Sequence, residues 1–113
     1  MEVKRGEIWW ADLSPTRGTE QSGLRPVLVV QTDRANPYSP HTIVVPFTTK
    51  IRKKILPSHT LILARESNLP EDSIVLCEQI RVIDKQRFVR KIGTLSKSRL
   101  LEVDAALREI LAL

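Results

Sequence analysis

One arginine in this chain stands between a glycine and a proline where a polar loop turns into an apolar run. Gly18-Thr19-Glu20-Gln21-Ser22-Gly23-Leu24-Arg25-Pro26 leads straight into Val27-Leu28-Val29-Val30. A second apolar run, Thr42 to Phe47, ends in two adjacent hydroxyls, Thr48 and Thr49. If the two runs are neighbouring strands, Arg25 and Thr48 meet at one point. A guanidinium matches the fork of two phosphate oxygens and stays charged at any working pH. A threonine hydroxyl beside it donates a hydrogen bond to the same phosphate. The pair is a phosphate-binding candidate, and a candidate for cleaving a phosphodiester. Taken alone, Thr48 reads more readily as a β-branched residue finishing a strand than as part of a site.

Other polar residues gather around this pair in the sequence. Glu20 is the carboxylate nearest Arg25. Three roles stay open for it: accepting a proton, holding Arg25 by an ion pair, or bonding a base edge. A solvated loop glutamate is the plain alternative. The amide of Gln21 both donates and accepts, as reading a base edge requires. Lys50, Arg52, Lys53 and Lys54 put four cations in five residues, interleaved with Ile51, Ile55 and Leu56 and followed by Pro57. Such a loop tracks a phosphate backbone and presses apolar groups on bases; otherwise it is a solvated loop that discourages edge pairing. Glu78, Gln79 and Arg81 read as part of one strand, either bonding base edges left open by a single strand or pairing Glu78 with Arg81. Trp9 and Trp10 offer stacking surfaces, with one of the two expected in the core. His41 and His59 are isolated, follow loop-type residues and read as surface histidines. No group of residues has the look of a metal site, and no cofactor is expected.

The elements that must position these groups are mostly strands. Strands are expected at Glu7 to Asp12, Pro26 to Gln31, Thr42 to Phe47, Thr60 to Leu63, Ser73 to Val82 and Val89 to Leu95. Pro46 marks a bulge or an edge, because proline cannot donate to a ladder, and Gly93 a weak point or bulge. Asp84 to Arg87 is expected to make one helical turn. Ser96 to Leu113 is the one clear helix, with Leu100, Val103, Leu107 and Ile110 at helical spacing and Leu111 widening the stripe. Ser96 or Ser98 caps its start. Many short strands with one terminal helix argue for a single domain, 1–113, built as a small, strongly bent sheet or barrel.

Composition bounds the rest. The 113 residues are 42% apolar and 27% charged, the proportions of an ordinary soluble domain. The 18 Lys+Arg exceed 13 Asp+Glu by five, which favours an anionic partner, nucleic acid first. Cys77 is the only cysteine and sits in an apolar run, so it reads as a small buried hydrophobe in a reducing compartment. The start has no signal-peptide core and no run approaches a membrane span, so the cytoplasm is the expected location.

These residues resemble the MazF/PemK/Kid family of toxins. The resemblance rests on Arg5-Gly6-Glu7-Ile8-Trp9-Trp10-Ala11-Asp12-Leu13, on Gly18 to Pro26 with the strand after it, on Val45-Pro46-Phe47-Thr48 and on Glu78-Gln79-Ile80-Arg81. It implies an SH3-like barrel with a C-terminal helix, acting as a homodimer, and metal-independent, sequence-specific cleavage of single-stranded RNA. It implies a cognate MazE-like antitoxin whose acidic segment blocks the RNA groove. It implies that Arg25 and Thr48 carry the chemistry. The groove is expected to include Thr19, Glu20, Gln21, Lys50, Arg52, Lys53, Lys54, Leu56, Pro57, Glu78, Gln79 and Arg81. Such chemistry needs no metal because the substrate's own 2′-hydroxyl attacks the adjacent phosphorus; the protein aligns it and stabilises the charge that builds. Two other readings compete: a CcdB-like toxin acting on gyrase through protein contacts, and an RNA-binding module without catalysis.

Overall fold

The structure, a computed structural model, describes residues 2–51 and 56–113. Among them, seven strands form an antiparallel sheet: β1 (Glu7–Asp12), β2 (Leu24–Val29), β3 (His41–Thr48), β4 (His59–Ile62), β5 (Ser73–Leu76), β6 (Arg81–Asp84) and β7 (Phe88–Thr94). Two α-helices accompany them, a single turn α1 (Ala64–Ser67) and the C-terminal α2 (Lys97–Leu111). The strand order is β4-β5-β3-β2-β1-β7, with β6 also on β3. This is the expected architecture: mainly β, SH3-like and strongly bent, with a C-terminal helix.

Side chains alternate between the two faces of the sheet, so β1, β2 and β3 each feed two cores. Ile8, Leu28, Val45 and Phe47 point into one apolar cluster, on which Val103 and Ala106 of α2 pack. Ala11, Val27, Val29 and Val44 point the other way, into a second cluster with Leu13, Ile83 and Phe88. Each such fully buried Leu, Ile, Val or Phe stabilises the fold by about 1.5–3 kcal/mol. The central strands carry apolar residues on both faces, which explains the unbroken run Val27 to Val30. Trp9 joins the second cluster, its ring tilted 58° to Phe88 at 5.3 Å. Trp10 stays half-buried, lining a surface hollow with Arg90 and Lys91.

Two expectations about strands need correction. Pro46 is neither at an edge nor at a bulge: it is buried inside β3, opposite Val27 of β2. On its other side β3 pairs with β6 up to Val44 and with β5 from Phe47. A residue that cannot donate to a ladder fits where the strand changes partners. The expected strand Ser73 to Val82 is broken by a 3-10 turn at Cys77–Gln79. Both halves run antiparallel to β3, and the turn absorbs the shift in register between them. The run of polar Glu78 and Gln79 interrupts the alternation there.

The helix begins as expected, with Ser96 Oγ accepting the Arg99 N–H. Leu100 and Leu107 are partly buried against the first cluster. Ile110 and Leu111 depart from the expected stripe, remaining 43% and 46% exposed; the last turn lies past the surface that the helix covers. Arg5 pairs with Asp104, and Arg99 Nε donates to Glu66 at 2.7 Å, tying α2 to the N-terminus and to α1. The turn expected at Asp84 to Arg87 is a 3-10 turn at Lys85–Arg87. Two residues of β7 have no opposite number on β1, Ile92 beside Gly93 and Val89 further along, so the expected bulge lies next to Gly93.

Candidate nucleic-acid interface

Arg25 lies on β2 opposite Ala11 of β1. On its other side β2 pairs Val27 with Pro46 and Val29 with Val44, so the same register carried two residues further sets Arg25 across from Thr48. Cross-strand neighbours share a face, and both side chains line one cleft of about 210 Å³ with Gly18, Thr19, Glu20, Gln21, Ser22, Thr49 and Lys50. The juxtaposition expected from the sequence is therefore present. Arg25 Nε donates to the Ser22 carbonyl at 3.0 Å, which anchors the base of the guanidinium; among the described residues both terminal nitrogens are left for a ligand. Thr48 Oγ1 accepts the Lys50 N–H at 3.2 Å, so its hydroxyl proton remains available to donate.

The loop between β1 and β2 makes this possible. Gly18 (φ +60) and Gly23 (φ +75) adopt the left-handed conformation that side-chain-bearing residues avoid. Gly23 ties the ends together: its N–H donates to Ser14 Oγ and its carbonyl accepts the Leu13 N–H, each at 2.9 Å. Glu20 Oε1 accepts the Arg17 N–H at 2.9 Å, closing its own loop. Among the described residues Glu20 makes no ion pair with Arg25, which removes one of its three open roles.

Two further cavities continue the cleft. One of about 380 Å³ is lined by Thr19, Gln21, Thr48, Lys50, Leu56, His59, Ile74, Leu76, Glu78 and Gln79. Another of about 190 Å³ is lined by Glu20, Gln21, Pro46, Glu78, Gln79, Ile80 and Arg81. Gln21 borders all three, so they form one groove. The 3-10 turn lifts Glu78 and Gln79 to its floor, and Gln79 Oε1 accepts the Gln21 N–H at 2.9 Å, joining the two loops. Thr19, Glu20, Gln21, Lys50, Leu56, Glu78, Gln79 and Arg81 thus line one groove with Arg25 and Thr48. Pro57 is exposed beside Leu56 and lines none of these cavities. Arg52, Lys53 and Lys54 lie outside the described residues.

Three expectations fail here. Glu78 does not pair with Arg81: it takes Ser58 and His59, while Arg81 Nη1 donates to the Leu13 carbonyl at 3.3 Å. Neither Glu78 nor Gln79 is on a strand. His59 is no surface loop residue: it opens β4, its side chain is 13% exposed, and its Nε2 lies 2.8 Å from Glu78 Oε2. Nineteen positions separate the two, and only the β4–β5 pairing, His59 against Leu76, brings them together. Cys77 matches the expectation, being fully buried with its thiol pushed up to about 12 by burial and by nearby Glu78 and Asp104. Among the described residues no group of three or more His, Cys, Asp or Glu is arranged to hold a metal, and no helix is long and apolar enough to cross a membrane.

Residues 4–111 match the family of PemK-like, MazF-like toxins of type II toxin–antitoxin systems. The chain belongs to this family. It is 50% identical to Endoribonuclease EndoA of Bacillus subtilis (strain 168), over all of this chain and 97% of that one. It is 46% identical to Endoribonuclease MazF of Staphylococcus epidermidis, over 93% of this chain and 88% of the other. MazF (Form-I) from Deinococcus radiodurans superposes with a TM-score of 0.84 at 24% identity, covering 100% of this chain and 99% of that one. A mycobacterial endoribonuclease solved in complex with its cognate antitoxin superposes with a TM-score of 0.81 at 21% identity, covering 98% and 96%. These two structures share the MazF-like fold, and in this chain the groove described above is carried on it.

Proposed function

We propose that the groove binds single-stranded RNA and that Arg25 and Thr48 cleave it without a metal, through the substrate's own 2′-hydroxyl. The chain is a MazF-type toxin of a toxin–antitoxin system and an endoribonuclease. The observation that carries the assignment of the site is the cleft shared by Arg25 and Thr48 on adjacent strands.

In the proposed step the 2′-oxygen bonds to phosphorus and the P–O5′ bond breaks. The products are a 2′,3′-cyclic phosphate, which can open to a 3′-phosphate, and a 5′-hydroxyl. The proton lost by the 2′-hydroxyl is balanced by one gained at the leaving 5′-oxygen. The guanidinium of Arg25 stabilises the negative charge that builds on the phosphoryl oxygens, and the Thr48 hydroxyl donates to the same group. Thr19, Glu20, Gln21, Glu78, Gln79 and Arg81 supply donors and acceptors for unstacked bases, and Leu56 an apolar contact. Lys50, with Arg52, Lys53 and Lys54, carries the backbone phosphates.

The same reading makes the protein a cytoplasmic homodimer, held inactive by a MazE-like antitoxin whose acidic segment occupies the groove. A mycobacterial endoribonuclease of the same fold is solved with its cognate antitoxin, which supports the antitoxin part of this reading. End-group analysis tests the chemistry. RNA cut in the presence of EDTA should carry cyclic phosphate or 3′-phosphate ends facing 5′-hydroxyls. Products with 5′-phosphates would contradict attack by the 2′-hydroxyl.

A further inference from the structure

Glu78 reaches the groove from a 3-10 turn rather than from a strand, so no sheet ladder fixes its direction. Its side-chain partners do. Ser58 Oγ donates to Oε1 at 3.1 Å, and His59 Nε2 lies 2.8 Å from Oε2. Both partners come from one dipeptide at the start of β4. That dipeptide is itself held by the backbone: the His59 N–H donates to the Leu56 carbonyl at 2.9 Å, and the Ser58 carbonyl accepts the Cys77 N–H at 3.1 Å. Ser58 is 3% exposed and the His59 side chain 13%, so the clamp is built into the protein.

A carboxylate oxygen has room for more than one hydrogen bond. Among the described residues each oxygen of Glu78 has one partner, which leaves acceptor capacity at the groove that the residue lines. Next to it, Gln79 Oε1 is occupied by the Gln21 N–H, so the free end of that amide is its NH2. Adjacent side chains thus present an acceptor and a donor to one cavity, which Lys50 also lines. The complement is a base edge with an N–H donor beside an acceptor, as unpaired bases expose it.

We infer that His59 is a positioning residue for base recognition, holding the Glu78 carboxylate at the angle where it accepts from one base of the RNA. The inference rests on the reading of this groove as an RNA groove. The competing role is a purely structural clip, which would change stability and leave base preference alone.

The test maps cleavage sites of the full chain on a random single-stranded RNA pool, with kcat and KM on one cleaved oligonucleotide. The variants are Glu78→Ala, His59→Ala and His59→Gln. Both alanine variants should relax base preference at the same single position of the cleavage motif. KM should rise about tenfold, with kcat within about twofold of wild type. His59→Gln, which keeps an N–H donor near the place of Nε2, should restore both. If His59→Ala does not fold, His59→Phe keeps the bulk without the nitrogens and decides the matter in the same way. An unchanged motif and KM in His59→Ala overturns the inference. So does relaxation at a position other than that of Glu78→Ala, or a glutamine variant no better than alanine. Wild-type protein that cuts no RNA would overturn the proposed function as well, which separates the two failures.

Discussion

Gly93 stands where the C-terminal end of α1 rests on β7. A methyl group built there would lie 2.7 Å from the Ser67 carbonyl oxygen and 3.3 Å from Asn68 Cβ. Neither neighbour moves freely. Asn68 is left-handed (φ +66) and its side-chain Nδ2 donates to the Ile92 carbonyl at 2.8 Å, so the turn is pinned to the same strand. Gly93→Ala therefore pushes backbone against backbone, an overpacking of about 1–3 kcal/mol. Restricting the unfolded chain returns about 0.4–1 kcal/mol; the central values, about 2 less about 0.7, leave a net loss of about 1.3 kcal/mol. For 113 residues the unfolding entropy is about 0.24 kcal/mol per kelvin. The midpoint should then fall by about 4–8 °C. Thermal unfolding followed by circular dichroism, at matched protein concentration, reads this directly. A midpoint equal to or above wild type would refute the docking of α1 on β7.

Three further outcomes follow from the same structure. Thr48→Val keeps the β-branched shape but removes the hydroxyl, so kcat should fall about a hundredfold with an unchanged melting curve; full activity would remove Thr48 from the chemistry. Lys50→Ala should lower the slope of log affinity against log salt by about 0.7 for single-stranded RNA, and a wild-type slope would place Lys50 off the phosphate track. In acid, Arg99 holds Glu66 below its usual value, and the Arg5 N–H does the same for Asp33. Folded values depressed in this way give stability that is fully present above the unfolded values, near pH 4 to 4.5. It is lost as pH falls through the lower folded values. Urea midpoints should be level above about pH 5 and drop below it, less steeply in Glu66→Gln; identical curves would show that the Arg99 pair contributes nothing.

The legible part of the fold is the part written as local pattern. Strand β1, the terminal helix and its Ser96 cap follow from alternation, helical spacing and a polar residue at the right place. The meeting of Arg25 and Thr48 follows from two apolar runs that end in polar residues, once the runs are taken as neighbours. What escaped depends on partners distant in sequence. Nothing near Cys77 announces the 3-10 turn except two consecutive polar residues, because the break answers to the way β5 and β6 divide β3 between them. Pro46 reads as an edge until β3 is seen to change partners there. His59 reads as isolated because Glu78 lies on another strand's continuation. Ile110 and Leu111 fit the helical stripe, yet the helix outruns the core that would bury them.

The most direct test of the central claim is cleavage-site mapping by primer extension on a long unstructured RNA in EDTA, with wild type beside a folded Arg25→Ala variant. Wild type should cut at one short recurring motif, with those cuts absent or reduced by at least about a hundredfold in the variant. Cleavage by Arg25→Ala at the wild-type rate would contradict the assignment of the groove's chemistry to Arg25.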